Sequence, residues 1–300
     1  MNIGYACINI TLSSHKPKVT TNRSMVKRTF MKRGISYASE LALQNVTDLL
    51  TILKWNDAHN IKLFRISSDV FPWASEYQLT DLPDYDLIAR RMAEAGRFAV
   101  DRGIRITTHP GPFVVLTSPH KRVIQNSISD LTIHGDMFDL LGLSRTPYNK
   151  INIHCNGVYG DKQSAMDRFC RTFAELPYNV QSRLTVENDD SKNMYSVKDL
   201  MYIHNEINIP IVFDGFHHTF NTGGLSENEA LSLACSTWIN DIRPIIHYSE
   251  SKSIHENNNK LRPQAHSDYI KQIPDVYGFD VDIMVEAKQK ELAILPFVTN

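Results

Sequence analysis

Residues 209–218 read IPIVFDGFHH, an apolar run that closes on Asp214, His217 and His218. The run has the make-up of a buried strand, yet a carboxylate and two imidazoles follow it at once, and such groups are costly to desolvate without a partner. The pattern recurs. Similar runs stand at NIGYACI near residue 2, KLFRI near 62, IRITT near 104, KINIHC near 150, RLTVE near 183, RPIIHY near 243 and VDIMVE near 281. Between them apolar residues repeat at steps of three and four, as in Ala42, Val46, Leu49, Leu50, Leu53 and in Ile88, Met92, Ala95, Ala99, which is helical spacing. Ser118 and Pro119 read as a helix cap and first turn, and Gly103 as a left-handed helix ending before the next strand.

Continuously apolar strands alternating with helices belong to a parallel sheet covered by helices. Eight such units in even succession, with no linker or break in composition, predict an α/β fold, a (β/α)8 TIM barrel that spans residues 1–300 as one domain. No G-x-G-x-x-G or G-x-x-x-x-G-K-[ST] pattern follows any strand, which argues against nucleotide-cofactor chemistry.

With 42% hydrophobic and 22% charged residues and a net charge of −1, the chain reads as an ordinary globular protein. No apolar run approaches the roughly 18 residues of a membrane span and no export signal opens the chain, so a soluble, intracellular, cytoplasmic monomer is expected. Cys7, Cys155, Cys170 and Cys235 are scattered and form no C-x-x-C pair, which indicates neither a disulfide framework nor a thiolate zinc site. Charge is unevenly spread. Met1 to Ser39 contains no Asp or Glu, whereas Lys16, Lys18, Arg23, Lys27, Arg28, Lys32 and Arg33 crowd the same stretch. That asymmetry suits a surface aimed at a polyanion, with a solvated basic loop as the plainer alternative.

In a barrel of this kind the loops after the strands converge at one mouth. The strand ends supply Tyr5 and Asn9, then Asp69, His109, His154, Glu187, Asp214 with His217, His247, and Glu286. Singly, each is ordinary, because a lone histidine after a strand is more often a packing residue and a lone glutamate a cap. Collectively they would repel or strand one another unless cations held them, so the set points to a polynuclear metal site. Imidazole and carboxylate without thiolate suit manganese, iron, zinc or cobalt better than magnesium or calcium. In a helical turn His217 and His218 diverge by about 100°, so one of them faces the centre. His266, in RPQAHSDY, fits either a ligand on a long loop or a helix-start residue.

These residues resemble the ultraviolet damage endonucleases, barrel enzymes similar in design to endonuclease IV. The resemblance runs through GYACINITL, LFRISSDVFPWAS, HPGPFV, IHCNGVYGDK, VENDD, VFDGFHH, RPQAH and DIMVEAK, one segment per strand in order. It implies a metal-dependent nuclease that nicks damaged duplex DNA on the 5′ side of ultraviolet photoproducts, and more loosely at lesions such as abasic sites. It further implies two or three divalent metals, manganese foremost, held by His109, His154, Glu187, Asp214, His217, His247, His266 and Glu286. Glu187, Glu286 and His247 are then expected to carry the catalysis. Where some members have a histidine this chain has Asp69, still a possible ligand, and where some carry a lysine before the strand-seven histidine it has Ile245, which puts a third metal in doubt. A lesion-probing Gln-Tyr pair of some relatives corresponds to Pro112 and Phe113, of which Phe113 keeps a ring able to wedge between bases. Tyr5, Asn9, Trp73, Lys27 and Arg28 complete the expected DNA face. Two rival readings are a sugar isomerase or epimerase on a related two-metal barrel and a lesion-binding protein without turnover.

Overall fold

The computed structural model describes residues 1–239 and 241–298. The strands are β1 (Ile3–Ala6), β2 (Leu63–Ile66), β3 (Arg105–Thr108), β4 (Ile151–His154), β5 (Leu184–Glu187), β6 (Ile211–Val212), β7 (Ile245–Tyr248) and β8 (Asp282–Val285). All are parallel and stand in the order β6-β5-β4-β3-β2-β1-β8-β7. A parallel bridge from Asp214 to His247, with the His247 N–H on the Phe213 carbonyl at 2.9 Å, joins the two ends. The result is the (β/α)8 barrel that the strand–helix alternation predicts.

After β1 come α1 (Ile10–Ser13) and the long α2 (Lys27–Ala58); after β2, α3 (Tyr85–Asp101); after β3, α4 (Lys121–Leu140). The circuit continues with α5 (Lys162–Phe173) and α6 (Tyr178–Gln181), then α7 (Val197–Ile207), α8 (Gly215–His218) and α9 (Glu227–Ser236). It closes with α10 (Lys252–His255) and α11 (Glu291–Ile294). In α2 the residues Ala42, Val46, Leu49 and Leu53 are buried, and in α3 Ile88, Met92, Ala95 and Ala99, so the three-and-four spacing marks the faces laid on the barrel. Gly96 sits on the same α3 face, where a Cβ would lie 1.7 Å from the Leu141 carbonyl oxygen beyond α4. Gly103 follows α3 at φ +64°, the expected left-handed ending. The cap of α4 is displaced from expectation: His120 is the N-cap, and Ser118 Oγ accepts the His120 N–H at 3.1 Å.

The period of two along each strand divides inward from outward residues. At the base of the barrel, Arg105 of β3 meets Asp282 of β8 across the interior at 3.0 Å, both almost wholly buried. Arg105 also donates to the carbonyls of Tyr148 and Arg243, each at 2.7 Å, so its donors are largely satisfied. Ala6, Leu63, Ile245 and Met284 form a small apolar plug of their own, apart from the main core. Ile245 therefore fills space in this plug.

Tyr5 has the opposite phase. It is completely buried, its ring 5.1 Å from Phe64 and its hydroxyl donating to Asn56 of α2 at 2.8 Å. Asn9, equally buried, caps α1 through Leu12 N–H and donates to the Tyr5 hydroxyl. Neither residue reaches the surface expected of it.

Candidate metal centre

Strand register places the central residues. His154 pairs in register with Glu187, and parallel partners in register project to the same side. Glu187, 1% exposed, is the hub. One carboxylate oxygen, Oε2, lies 3.3 Å from His109 Nε2 and 2.9 Å from His247 Nδ1; the other, Oε1, lies 3.4 Å from His217 Nδ1 and 3.9 Å from His154 Nε2. Glu286 Oε1 stands 3.3 Å from the same His247 nitrogen, and Glu286 Oε2 stands 3.8 Å from His266 Nδ1. Asp214 caps the short α8, accepting the His217 N–H at 2.7 Å, and so fixes the backbone that presents His217. Two groups have ligand atoms close enough to hold an ion, His109 with His154 and Glu187, and Glu187 with Asp214 and His217. Glu187 belongs to both.

Each of the five imidazoles is tethered through one nitrogen. His109 Nδ1 is 3.0 Å from the Pro110 carbonyl, His217 Nδ1 2.9 Å from that of Asn188, and His266 Nδ1 3.0 Å from that of Glu286. His154 Nδ1 lies 3.1 Å from the Asp189 carboxylate, and His247 Nε2 lies 3.0 Å from Lys150 Nζ. In His109, His154 and His247 the contact leaves the opposite nitrogen toward Glu187, whereas in His217 and His266 the tethered Nδ1 is itself the nitrogen near the carboxylate.

The electrostatics are those of a site short of positive charge. Burial alone would raise the Glu187 carboxyl, but His247 and His154 outweigh it and hold it well below the usual range. Burial works likewise against charge on His154, yet Glu187 and Asp189 push it up to about 10, and Asp214 and Glu187 push His217 up to about 9. Burial keeps His247 down at about 4, with Lys150 adding to the effect, and raises Asp214 to about 6. Asp214 Oδ2 is buried with no hydrogen-bond partner among the described residues. An orphaned carboxylate oxygen amid imidazoles is what a cation would satisfy, so the donor set fits the divalent metals that its chemistry suggests.

The structure thus brings together His109, His154, Glu187, Asp214, His217, His247, His266 and Glu286. His266 comes in on the long segment between β7 and β8, its ring edge-on to Phe216 at 5.6 Å. His218 is buried against Phe213, so His217 is the one of the pair that faces the centre. Asp69 is exposed and belongs to neither ligand group, because the chain turns away after β2. Trp73 is an anchor: its Nε1 donates to the Met25 carbonyl at 2.6 Å and its ring stacks on Phe30 at 5.9 Å. It holds the start of α2, where Lys27 and Arg28 are exposed. Pro112 is exposed, and Phe113, 86% exposed, holds its ring out in solvent beside the mouth.

Several neighbours of the candidate ligands escaped sequence reasoning: Arg65 paired with Glu286, Asn152 donating to Glu187, Lys150 against His247, and Asp189 behind His154. A signal existed for three of them. Arg65, Lys150 and Asn152 are polar residues in or beside otherwise apolar strands, which burial permits only with partners. Asp189 carried none beyond its place in VENDD.

Known proteins resemble this chain in sequence and in fold. A family model described as UV-endonuclease UvdE matches residues 1–300. A UV DNA damage endonuclease from Clostridium perfringens is 30% identical over 303 residues, covering 100% of this chain and 70% of that protein. The crystal structure of SacUVDE superposes with a TM-score of 0.86 at 32% identity, covering 99% of this chain and 96% of that one. Endonuclease IV from Thermus thermophilus gives a TM-score of 0.56 at 11% identity over 97% and 94% of the two chains, a likeness of fold alone.

Proposed function

The chain belongs to the UV-endonuclease UvdE family and is an endonuclease of ultraviolet-damaged DNA; from that premise we propose that it hydrolyses the phosphodiester on the 5′ side of the photoproduct at a divalent-cation cluster. The ligands are His109, His154, Glu187, Asp214, His217, His247, His266 and Glu286, with two or three ions and manganese the first candidate. The observation that carries this reading is the position of Glu187, which belongs to both ligand groups and has imidazoles of each within 4 Å of its carboxylate oxygens. A carboxylate so placed is suited to bridge two cations.

Divalent cations in such a cluster supply charge neutralisation on the phosphate and activation of water. The rest falls to the chain. Asp189, Lys150 and the carbonyls of Pro110, Asn188 and Glu286 hold the five imidazoles in position. Asn152 keeps the hub carboxylate oriented from below. Phe113 offers a ring for the space left when damaged bases leave the stack, and Lys27 and Arg28 meet phosphates of the flanking duplex without reading sequence. Family membership sets aside the sugar-epimerase reading, and the presence of both Glu187 and Glu286 speaks against a binder without turnover.

The test is a nicking assay with manganese on irradiated and unirradiated duplexes, repeated after chelation and with Glu187→Gln. Damage-dependent nicking that chelation and the variant both abolish is expected. Undiminished nicking by the chelated enzyme would overturn the cation-based chemistry.

A further inference from the structure

The mouth of the barrel has two electrical halves. Carboxylates and imidazoles of β3 to β8 form one, and an approaching phosphodiester meets there the negative charges of Glu187, Asp214 and Glu286. The other half lies over β1 and β2. A cavity of about 370 Å³ opens between the two, lined by Cys7, Arg65, His109, Pro112, His154 and Glu286 among others. Arg65 is its guanidinium. Only 12% exposed, it stands in the middle of an otherwise apolar strand, in register with Ala6 and Thr107.

Its hydrogen bonding is incomplete. Nη1 is committed to Glu286, while Nε is buried with no partner among the described residues. Buried donors are almost always paired, so an unpaired one beside a cavity points to a missing acceptor. A second cation stands nearby. Lys290, half-buried and without an ion pair among the described residues, stands in the turn that leaves β8 just after Glu286, its N–H on the Ala287 carbonyl at 3.2 Å, and Arg65, Glu286 and Cys7 are near enough to act on its charge. Its backbone is at φ +51° and ψ −123°, a conformation that non-glycine residues rarely adopt and that tends to persist where the surroundings or the function enforce it.

We propose that Arg65 and Lys290 form an anion seat facing the metal-ligand half of the mouth, and that this seat grips the non-bridging oxygens of the scissile phosphate. The inference rests on the endonuclease reading given above and names the residues by which the chain itself holds the reacting group. Glu286 aligns the guanidinium from one side, and the planar fork presents its remaining N–H groups to phosphate oxygens. The donors are fixed before substrate arrives, so they can favour the extra charge that the phosphate gathers during attack.

The experiment has two readouts. Inorganic phosphate binding to the chelated protein, free of DNA, is followed by calorimetry for wild type, Arg65→Lys, Arg65→Met and Lys290→Met. Nicking of irradiated duplex with manganese is measured in parallel, as kcat and KM. Phosphate affinity should fall at least about tenfold in Arg65→Met and severalfold in Arg65→Lys and Lys290→Met. Nicking should lose kcat, on the order of 100-fold for Arg65→Met, while KM for DNA stays within about threefold, because distant phosphates dominate binding. A role confined to supporting Glu286 would leave phosphate affinity unchanged in Lys290→Met, and that result would overturn the seat. Should Arg65→Met fail to fold, Arg65→Lys and Lys290→Met decide, and wild-type phosphate binding in both overturns the proposal. If wild type does not nick yet Arg65→Met loses phosphate, the endonuclease chemistry fails and the seat stands.

Discussion

The proposed chemistry turns on one buried carboxylate, Glu187, and its replacement is the sharpest test at the level of a single side chain. Glu187→Gln keeps the shape and the neighbour Asn152 but removes the charge that His247 and His154 face. Nicking should drop by more than about 100-fold, the scale of losing a positioned electrostatic group, with the circular dichroism spectrum unchanged. Asp189→Asn acts one step farther out. It weakens the hold on His154 Nδ1, and such outer partners are worth about 10–100-fold in metal affinity, so manganese titration should register the loss directly. Phe113→Ala should cost affinity for irradiated duplex by about 1–3 kcal/mol while unirradiated duplex binds as before, as read by competition in gel-shift assays. Much of the candidate site's clustering was legible, because histidines and acids directly after apolar runs are conspicuous. Tyr5 and Asn9 misled because a strand's end does not reveal its phase. A shift of one residue turned Tyr5 toward α2, where its hydroxyl finds Asn56. Arg65 went unread for the complementary reason, since a guanidinium in KLFRI looks like strand polarity until its partner Glu286 arrives from the far end of the chain.

Among the elements, α2 carries the charge asymmetry of the N-terminal stretch. Gly34, at φ +66° and ψ −165°, interrupts its helical geometry and sets residues 27–33 apart from the long buried-faced portion. Phe30 docks that leading piece on Trp73, which leaves Lys27, Arg28 and Lys32 exposed. Not every basic residue is free to meet DNA. Arg23 is spent on the Lys18 and Thr20 carbonyls and on Asp48, and the Arg33 guanidinium lies 3.2 Å from the centre of the Tyr37 ring. Replacing Lys27, Arg28 and Lys32 by Ser should therefore weaken binding to damaged and undamaged duplex alike. The slope of log affinity against log salt should flatten by about 0.9 for each phosphate that the segment no longer neutralises. Equal slopes in wild type and variant would return the segment to plain solvated surface. Strand and helix positions were readable from periodicity, but the interruption at Gly34 was not, because a lone glycine in a helical pattern does not announce whether it bends or merely weakens the helix.

For the whole molecule, stability is anchored at the two ends of the barrel. The Arg105–Asp282 pair closes the base, and removing one partner strands a buried charge. Arg105→Met or Asp282→Asn should each cost about 3–5 kcal/mol in denaturant unfolding, with part recovered when both sites are made apolar. At the other end, Glu250 ties down the long segment between β7 and β8. It accepts the Tyr248 hydroxyl at 3.0 Å and the Lys271 N–H at 2.9 Å and pairs with His255. Burial pushes its carboxyl up, but these partners prevail and hold it below its ordinary value. A folded-state value depressed in this way contributes stability above the unfolded value of about 4.3, and that contribution is lost as pH falls through the folded value. Limited proteolysis of residues 249–281 should accordingly quicken below about pH 4. In Glu250→Gln it should be fast already at neutral pH and little altered by acid.

The barrel is a hoop with a clasp. Most neighbouring strands are laced by ladders of several residue pairs, but among the described residues β6 and β7 meet through the bridge of Asp214 to His247. In hydrogen–deuterium exchange the His247 amide, held on Phe213, should therefore trade its proton sooner than the β7 amides laced to β8. Both halves of that clasp carry side chains of the proposed ligand ring, so a cation held there would also fasten the hoop. The exchange rate of one backbone amide then becomes a gauge of occupancy, readable without DNA and without a single turnover.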